Sequence, residues 1–312
     1  MPSGAQQGMP NLTGSLCYRL SLLQCLLHQP QFVNWIQNFH REEFCVSDDP
    51  ESCVSCSIRR LTLEYWSVAR SSAALTKVLQ AMQALFRTLG WKPDVASGHA
   101  DPDEQATWIF NMMSRELPSS IFSCFKSFSQ LSTTSSISCR KCGWESRTSG
   151  HDDQSLSIPI TPRLPDGTLT MYLDKYMEEV VEGYKCEKCG DSSVKSRALL
   201  IGHCPDILTV QLKRFDWDGN KVTTAVRIPT SLSLDNYRDD GNDCRLLYEL
   251  AAVIKHAGSG GFGHYICDAK AGDGEWYCFD DDRRSSSSVM EATSSSKMGF
   301  TPYILFFRRK LE

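Results

Sequence analysis

The sequence predicts an α+β protein in which helices come first and strands second. Two observations carry that expectation: from Gln31 to about Pro118 apolar residues recur at helical spacing, and from Ile207 onward they alternate as in half-buried strands. A third is the position of two C-x-x-C pairs, at Cys139/Cys142 and Cys186/Cys189, in the transition between those regions. The 312 residues are 41% hydrophobic and 22% charged, enough to bury a large core as one large domain or two ordinary ones. A net charge of -4 and a pI of about 6.0 supply no global basic field for nucleic acid or an anionic membrane. The first residues lack the basic start and apolar stretch of a signal peptide, and no apolar run approaches the roughly 20 residues that span a bilayer. The expected compartment is cytosol or nucleus, where thiols stay reduced and 14 cysteines suggest metal or chemistry before disulfides.

In "NLTGSLCYRLSLLQCLL", Leu16, Leu20, Leu23 and Leu27 form one face of an amphipathic helix, with Thr13 or Ser15 as its cap. Cys17 lies in the first turn, where unpaired amides and the helix dipole favour a thiolate. On its own it reads more readily as a small buried hydrophobe. "LTKVLQAMQALFRTLGW" is the clearest amphipathic run, with Gly90 as its stop. In "ILTVQLKRF" Leu208, Val210 and Leu212 share a face, and "LLYELAAVI" alternates in the same way. "GFGHYICDAKAGDGEWYCFDD" reads as two strands joined by a turn at Ala271–Gly274, and "TPYILFF" as a last strand. Between them "RRSSSSVMEATSSSK" is expected to be a mobile, unpacked loop.

Cys139-Arg-Lys-Cys142 and Cys186-Glu-Lys-Cys189 each end in x-K-C-G, the tight turn of a zinc knuckle. Two knuckles complete a tetrahedral four-cysteine site, and four thiolates leave no position for water, so the expected zinc is structural. A third pair, Cys53 and Cys56, has no partner pair nearby and leads into Ile58, Leu61 and Tyr65; it reads as core, with metal binding as the minor alternative. Downstream, the predicted hairpin sets His264, flanked by glycines, beside Asp280 on the neighbouring strand, so a carboxylate can fix an imidazole tautomer.

Together these segments resemble the ubiquitin-specific proteases, papain-fold cysteine peptidases that cleave after the C-terminal glycine of ubiquitin. "GMPNLTGSLCYRLSLLQCLLHQPQF" is similar to the family's Cys box and "LLYELAAVIKHAGSGGFGHYICDAK" followed by "WYCFDDD" to its His box. "PDILTVQLKRF" is similar to the segment preceding that box, and the C-x-x-C pairs fall where the family's fingers carry zinc. The resemblance implies one catalytic domain over 1–312: a helical thumb at about 8–118, fingers and a β-sheet palm at 119–308, and a serine-rich loop at 283–298. It implies Cys17 as nucleophile, His264 as base and later acid, and Asp280 as the residue orienting the imidazole, a role Asp281 shares. Cys139, Cys142, Cys186 and Cys189 would hold zinc, and His256 would be structural. Ubiquitin or polyubiquitin on proteins would be the partner, met by a monomer, with Gly260, Gly261 and Gly263 lining a channel for its Gly-Gly tail.

Several positions depart from the family pattern. The oxyanion-donating Asn stands five residues before the Cys in the family, whereas Asn11 here stands six before, and an insertion ahead of Gly14 lets Asn11 fill that role. The usual N-T-C and M-N-S become Ser15-Leu16-Cys17 and Arg19-Leu20-Ser21. The family's Q-D-A-x-E-F-L is matched to "DEQATWI", with Trp108 in place of the Phe. These changes imply a divergent member. The alternatives are a weak or inactive relative that binds ubiquitin as a scaffold, an enzyme acting on a ubiquitin-like modifier, or a zinc-ribbon nucleic-acid binder, which leaves the hairpin unexplained.

Overall fold

The computed structural model describes residues 7–40, 45, 49–96, 98–161, 167–192, 195–216, 218–239, 245–259, 262–296 and 298–310. Helices fill the first part: α1 (Cys17–Leu27), α2 (Pro30–Asn38), α3 (Val54–Tyr65), α4 (Ser72–Thr88), α5 (Lys92–Ala96), α6 (Pro102–Glu116) and α7 (Ser119–Ser129). There follow β1 (Leu131–Cys139), β2 (Glu145–Asp153), β3 (Leu156–Pro159), α8 (Leu169–Met177), β4 (Glu178–Val181), β5 (Lys195–His203), β6 (Ile207–Lys213) and β7 (Ser231–Ser233). The last part holds β8 (Leu247–Ser259), β9 (Phe262–Lys270), β10 (Trp276–Asp280), β11 (Arg283–Ser287), α9 (Val289–Thr293) and β12 (Thr301–Arg309). None of the described helices is long and apolar enough to cross a membrane.

Two sheets form. The fingers run β2-β1-β5-β4, and the palm runs β11-β10-β9-β8-β12-β6-β3, with β7 paired to β8. Palm pairs are antiparallel except β3 with β6. Alternation along the palm strands sends successive side chains to opposite cores. Ala252, Ile254 and Phe306 join the helical thumb, while Val253, Leu305 and Phe307 join α8 on the other side. This is the papain-like arrangement of thumb, palm and fingers that the resemblance implies.

Four local expectations change. All eleven residues of α1 are buried, so the helix is the centre of the thumb core and presents no polar face to water. Its polar residues are satisfied internally: Arg19 pairs with Asp94 at 2.7 Å and donates to Gln105 at 3.1 Å, and Gln24 donates to the Tyr65 hydroxyl. Neither Thr13 nor Ser15 caps it. Their hydroxyls bond each other at 2.9 Å, and the N-cap position falls to Leu16 with no side-chain cap.

The helical region also continues past Pro118 through α7, because Phe125 and Phe128 complete an aromatic cluster with Trp35 and Phe110. Most of the serine-rich segment forms regular structure, β11 and α9, while Lys297 lies outside the described residues. Arg283–Ser287 is the palm's edge strand, with Asp280 opposite Arg283 and Trp276 opposite Ser287. The two-residue turn this leaves is of the primed class that suits a hairpin, and Asp281 adopts φ 53°. Ser288 then caps α9 reciprocally with Glu291: the Glu291 amide donates to Ser288 Oγ at 3.2 Å, and Ser288 Oγ donates to the Glu291 carboxylate at 2.9 Å.

Candidate active site and metal knuckles

Cys17 opens α1, His264 is the third residue of β9, and Asp280 ends β10. The β9–β10 register, with Cys267 opposite Phe279, brings the imidazole to the carboxylate, and His264 Nε2 lies 2.6 Å from Asp280 Oδ1. Helix α1 packs along β9, with Cys25 Sγ 3.1 Å from Cys267 Sγ, and this sets Cys17 against the same imidazole. The thiol of Cys17 and then the carboxylate of Asp280 hold the imidazolium form, raising the His264 pKa to about 9 although burial acts the other way. Cys17 itself is 1% exposed, so solvent has little access to its thiol.

Asn11 and Asp281 form a second layer. Asn11 Nδ2 donates to Asp281 Oδ2 at 3.1 Å, and Asn11 Oδ1 accepts from the Leu16 amide at 3.2 Å, so the carboxamide bridges the hairpin turn and the start of α1. One Nδ2 hydrogen is left over from these bonds. Asp281 lies within 4.8 Å of His264 and Asp280, yet its hydrogen bond goes to Asn11. Burial holds its carboxyl above the usual carboxylate range. The Asp281 carbonyl also accepts from the Met9 amide at 2.8 Å. A Cβ on Gly8 would fall inside the contact distance of that carbonyl, which is why glycine is needed there.

A groove of about 300 Å³ between α6 and the β8–β9 hairpin is lined by Asp101, Glu104, Phe215, His256, Phe262 and Gly263 among others. Gly263 is the described member of the expected channel glycines, and a Cβ there would clash with the His256 ring; Gly260 and Gly261 lie outside the described residues. His256 is buried between Tyr265 and Phe215, and desolvation lowers its pKa to about 4, so it is neutral and structural. Asp101 and Glu104 are residues that sequence reading passed over. Asp101 caps α6 and accepts from the Tyr303 hydroxyl, with burial lifting its pKa to about 6. Trp108, matched to the family's Phe, packs instead against Phe86 and Trp91 in the thumb. The D-P-D-E run entering α6 was the available signal.

In the fingers the two knuckles have one geometry. The Gly143 amide donates to the Cys139 carbonyl and the Gly190 amide to the Cys186 carbonyl, each at 2.9 Å, with both glycines at φ 67°. The four cysteines converge, with Cys139 Sγ 3.8 Å from Cys189 Sγ and Cys142 Sγ 3.7 Å from Cys186 Sγ. Four sulfurs at Zn–S distances of about 2.3 Å around a tetrahedral ion would stand about 3.8 Å apart. The donor set therefore fits a metal of that size without rearrangement.

Comparison with known proteins identifies the family and the fold. The family profile described as UCH, ubiquitin carboxyl-terminal hydrolase, matches residues 7–307. Ubiquitin carboxyl-terminal hydrolase 8 of Saccharomyces cerevisiae is 25% identical over 340 residues, covering 96% of this chain and 70% of the yeast protein. Mouse ubiquitin carboxyl-terminal hydrolase 17-like protein A is 28% identical, covering 98% of this chain and 57% of its own length. Among solved structures, a chain of the SAGA DUB module Ubp8/Sgf11/Sus1/Sgf73 bound to monoubiquitin superposes with a TM-score of 0.85 at 25% identity, covering 100% of this chain and 72% of that one. The profile spans nearly the whole chain and the fold agrees with it, so this chain belongs to the ubiquitin carboxyl-terminal hydrolases, the cysteine deubiquitinases.

Proposed function

We propose that this chain hydrolyses isopeptide or peptide bonds after the C-terminal glycine of ubiquitin, with Cys17 as nucleophile, His264 as proton carrier and Asp280 as the residue that orients the imidazole. The observation that carries this reading is the convergence on one imidazole of a helix-start thiol and a carboxylate at 2.6 Å. The Cys17 thiolate attacks the glycine carbonyl, and the oxyanion is met by the backbone N–H of Cys17 in a first turn that no side chain caps. The Asn11 hydrogen not given to Asp281 is the second donor. His264 gives its proton to the leaving lysine amine, then takes one from the water that attacks the thioester, releasing the ubiquitin carboxylate and regenerating the thiol.

The groove supports the substrate class. Asp101 and Glu104 put carboxylates along its wall, facing the basic tail of ubiquitin, and Gly263 lines it with bare backbone. Cys139, Cys142, Cys186 and Cys189 hold zinc, which would stiffen the fingers that receive the globular part of ubiquitin. The test is a ubiquitin probe with a C-terminal electrophile. It labels the wild type and fails to label Cys17→Ala; a folded wild type that stays unlabelled while binding ubiquitin would instead support the scaffold reading.

A further inference from the structure

Cys53 and Cys56, expected as core, have two further neighbours of the same chemistry. His40 Nε2 lies 3.1 Å from Cys56 Sγ and 3.9 Å from Cys53 Sγ, and the ligand atoms of His40, Cys45, Cys53 and Cys56 all lie within 4.8 Å of one another. We propose that these four residues bind a second structural zinc ion, in the thumb. A nitrogen and a sulfur bound to one tetrahedral zinc stand about 3.6 Å apart, and the two observed distances straddle that value. Three thiolates and one imidazole are a soft, closed donor set of the kind that selects zinc and leaves no open position for substrate.

The surroundings are built for ligands. His40 is fully buried, its Nδ1 finds no acceptor among the described residues, and the polar neighbours described for its ring are two sulfurs. An imidazole buried in this way is costly without a partner, and a metal ion provides one. Cys53 is the N-cap of α3, and its sulfur accepts from the Cys56 amide at 3.4 Å. Cys53 Sγ also donates to Glu116 Oε2 at 3.5 Å, and metal binding would remove that proton. The Glu116 carboxylate keeps its own donors, the Val54 and Ser55 amides at 2.8 and 3.0 Å and Ser55 Oγ at 3.1 Å, so the exchange does not leave it unpartnered. The ion would tie the end of α2 to the start of α3, helices that pack on each other in the thumb and are remote in sequence from the finger knuckles.

Metal stoichiometry tests this without relying on activity. Native mass spectrometry and elemental analysis of the folded chain should find about two zinc ions per chain, one at each closed site. Cys53→Ser/Cys56→Ser should lose one and Cys186→Ser/Cys189→Ser the other. A single zinc in the folded wild type that disappears with Cys186→Ser/Cys189→Ser overturns the proposal. If the thumb variant fails to fold, cobalt replaces it as the reporter. Reconstituted into folded Cys186→Ser/Cys189→Ser, cobalt should give thiolate-to-metal charge-transfer absorption from the remaining site, and absence of that band also overturns it.

Discussion

Replacing Asp94 with alanine tests how the helix that carries Cys17 is held. Arg19, two residues along α1, is 2% exposed at its side chain and Asp94 is 1% exposed, with 2.7 Å between guanidinium nitrogen and carboxylate oxygen. Removing one partner of a pair buried this deeply costs about 3–5 kcal/mol, because the other charge stays behind without its counterion. Arg19 keeps other partners after the substitution, among them the Tyr18 hydroxyl, which accepts from Nη2 at 3.4 Å. Gln105 Oε1 still accepts from Nε at 3.1 Å, and the guanidinium lies 4.7 Å from the centre of the Phe86 ring. A desolvated cation–π contact is worth about 2 kcal/mol, which places Asp94→Ala at the lower end of that range, about 3 kcal/mol. Urea unfolding of wild type, Asp94→Ala, Arg19→Met and Arg19→Met/Asp94→Ala measures this as a double-mutant cycle. The double variant should recover most of the loss, since neither charge then stays buried alone. A loss below about 1 kcal/mol for Asp94→Ala, or a double variant no more stable than the single one, refutes the reasoning.

The remaining predictions concern the site. His264 is protonated below about pH 9, so a reactive thiolate–imidazolium pair is depleted as pH rises through that value, and kcat/KM should fall there. Asp280→Asn removes one of the charges that sustain the shift; the alkaline limb should move to lower pH and kcat should drop by about 10²–10⁴, and a pH profile with an unmoved limb counts against the assignment. Asn11→Ala should lower kcat by about a hundred- to a thousandfold with little change in ubiquitin Kd, and an unchanged kcat would remove Asn11 from the oxyanion site. Gly8→Ala pushes a methyl group into the Asp281 carbonyl, costing about 1–3 kcal/mol in thermal or chemical unfolding; full stability would mean that the segment relaxes at no cost.

Much of this architecture was legible because local signals agreed with global ones. The x-K-C-G ending of both knuckles encodes the same turn twice, and Gly143 and Gly190 do take the positive φ it requires. The hairpin that unites His264 with Asp280 follows from alternation interrupted by an Ala-Gly-Asp-Gly turn. What stayed hidden depends on tertiary partners. The polar residues of α1 look solvent-facing until Asp94, Gln105 and Tyr65 arrive to satisfy them. The serine run looked like linker by composition, yet Ser288 and Glu291 carry the S-x-x-E capping signature, and a two-residue turn fixes the strand before it. His40 and Cys45 are separated from Cys53 and Cys56 by stretches with no fixed spacing rule, so that cluster emerges only once α3 is in place.

The palm's strand order also bears on how the sheet is assembled. β12, the last of the described strands in sequence, lies in the middle of the sheet between β8 and β6 rather than at an edge. Asn11 and Asp281, which touch across the site, are 270 residues apart in the chain. At synthesis rates of 5–20 residues per second the interval between them is roughly 15–55 s, during which Cys17 has left the ribosome without its imidazole. The thumb can gather its helices in that time, but the sheet has a gap at its centre until β12 is threaded in. A nascent or truncated chain ending before Thr301 therefore lacks the strand that joins β8 to β6, and the part of the palm that carries His264 has no pairing to the part that carries β6.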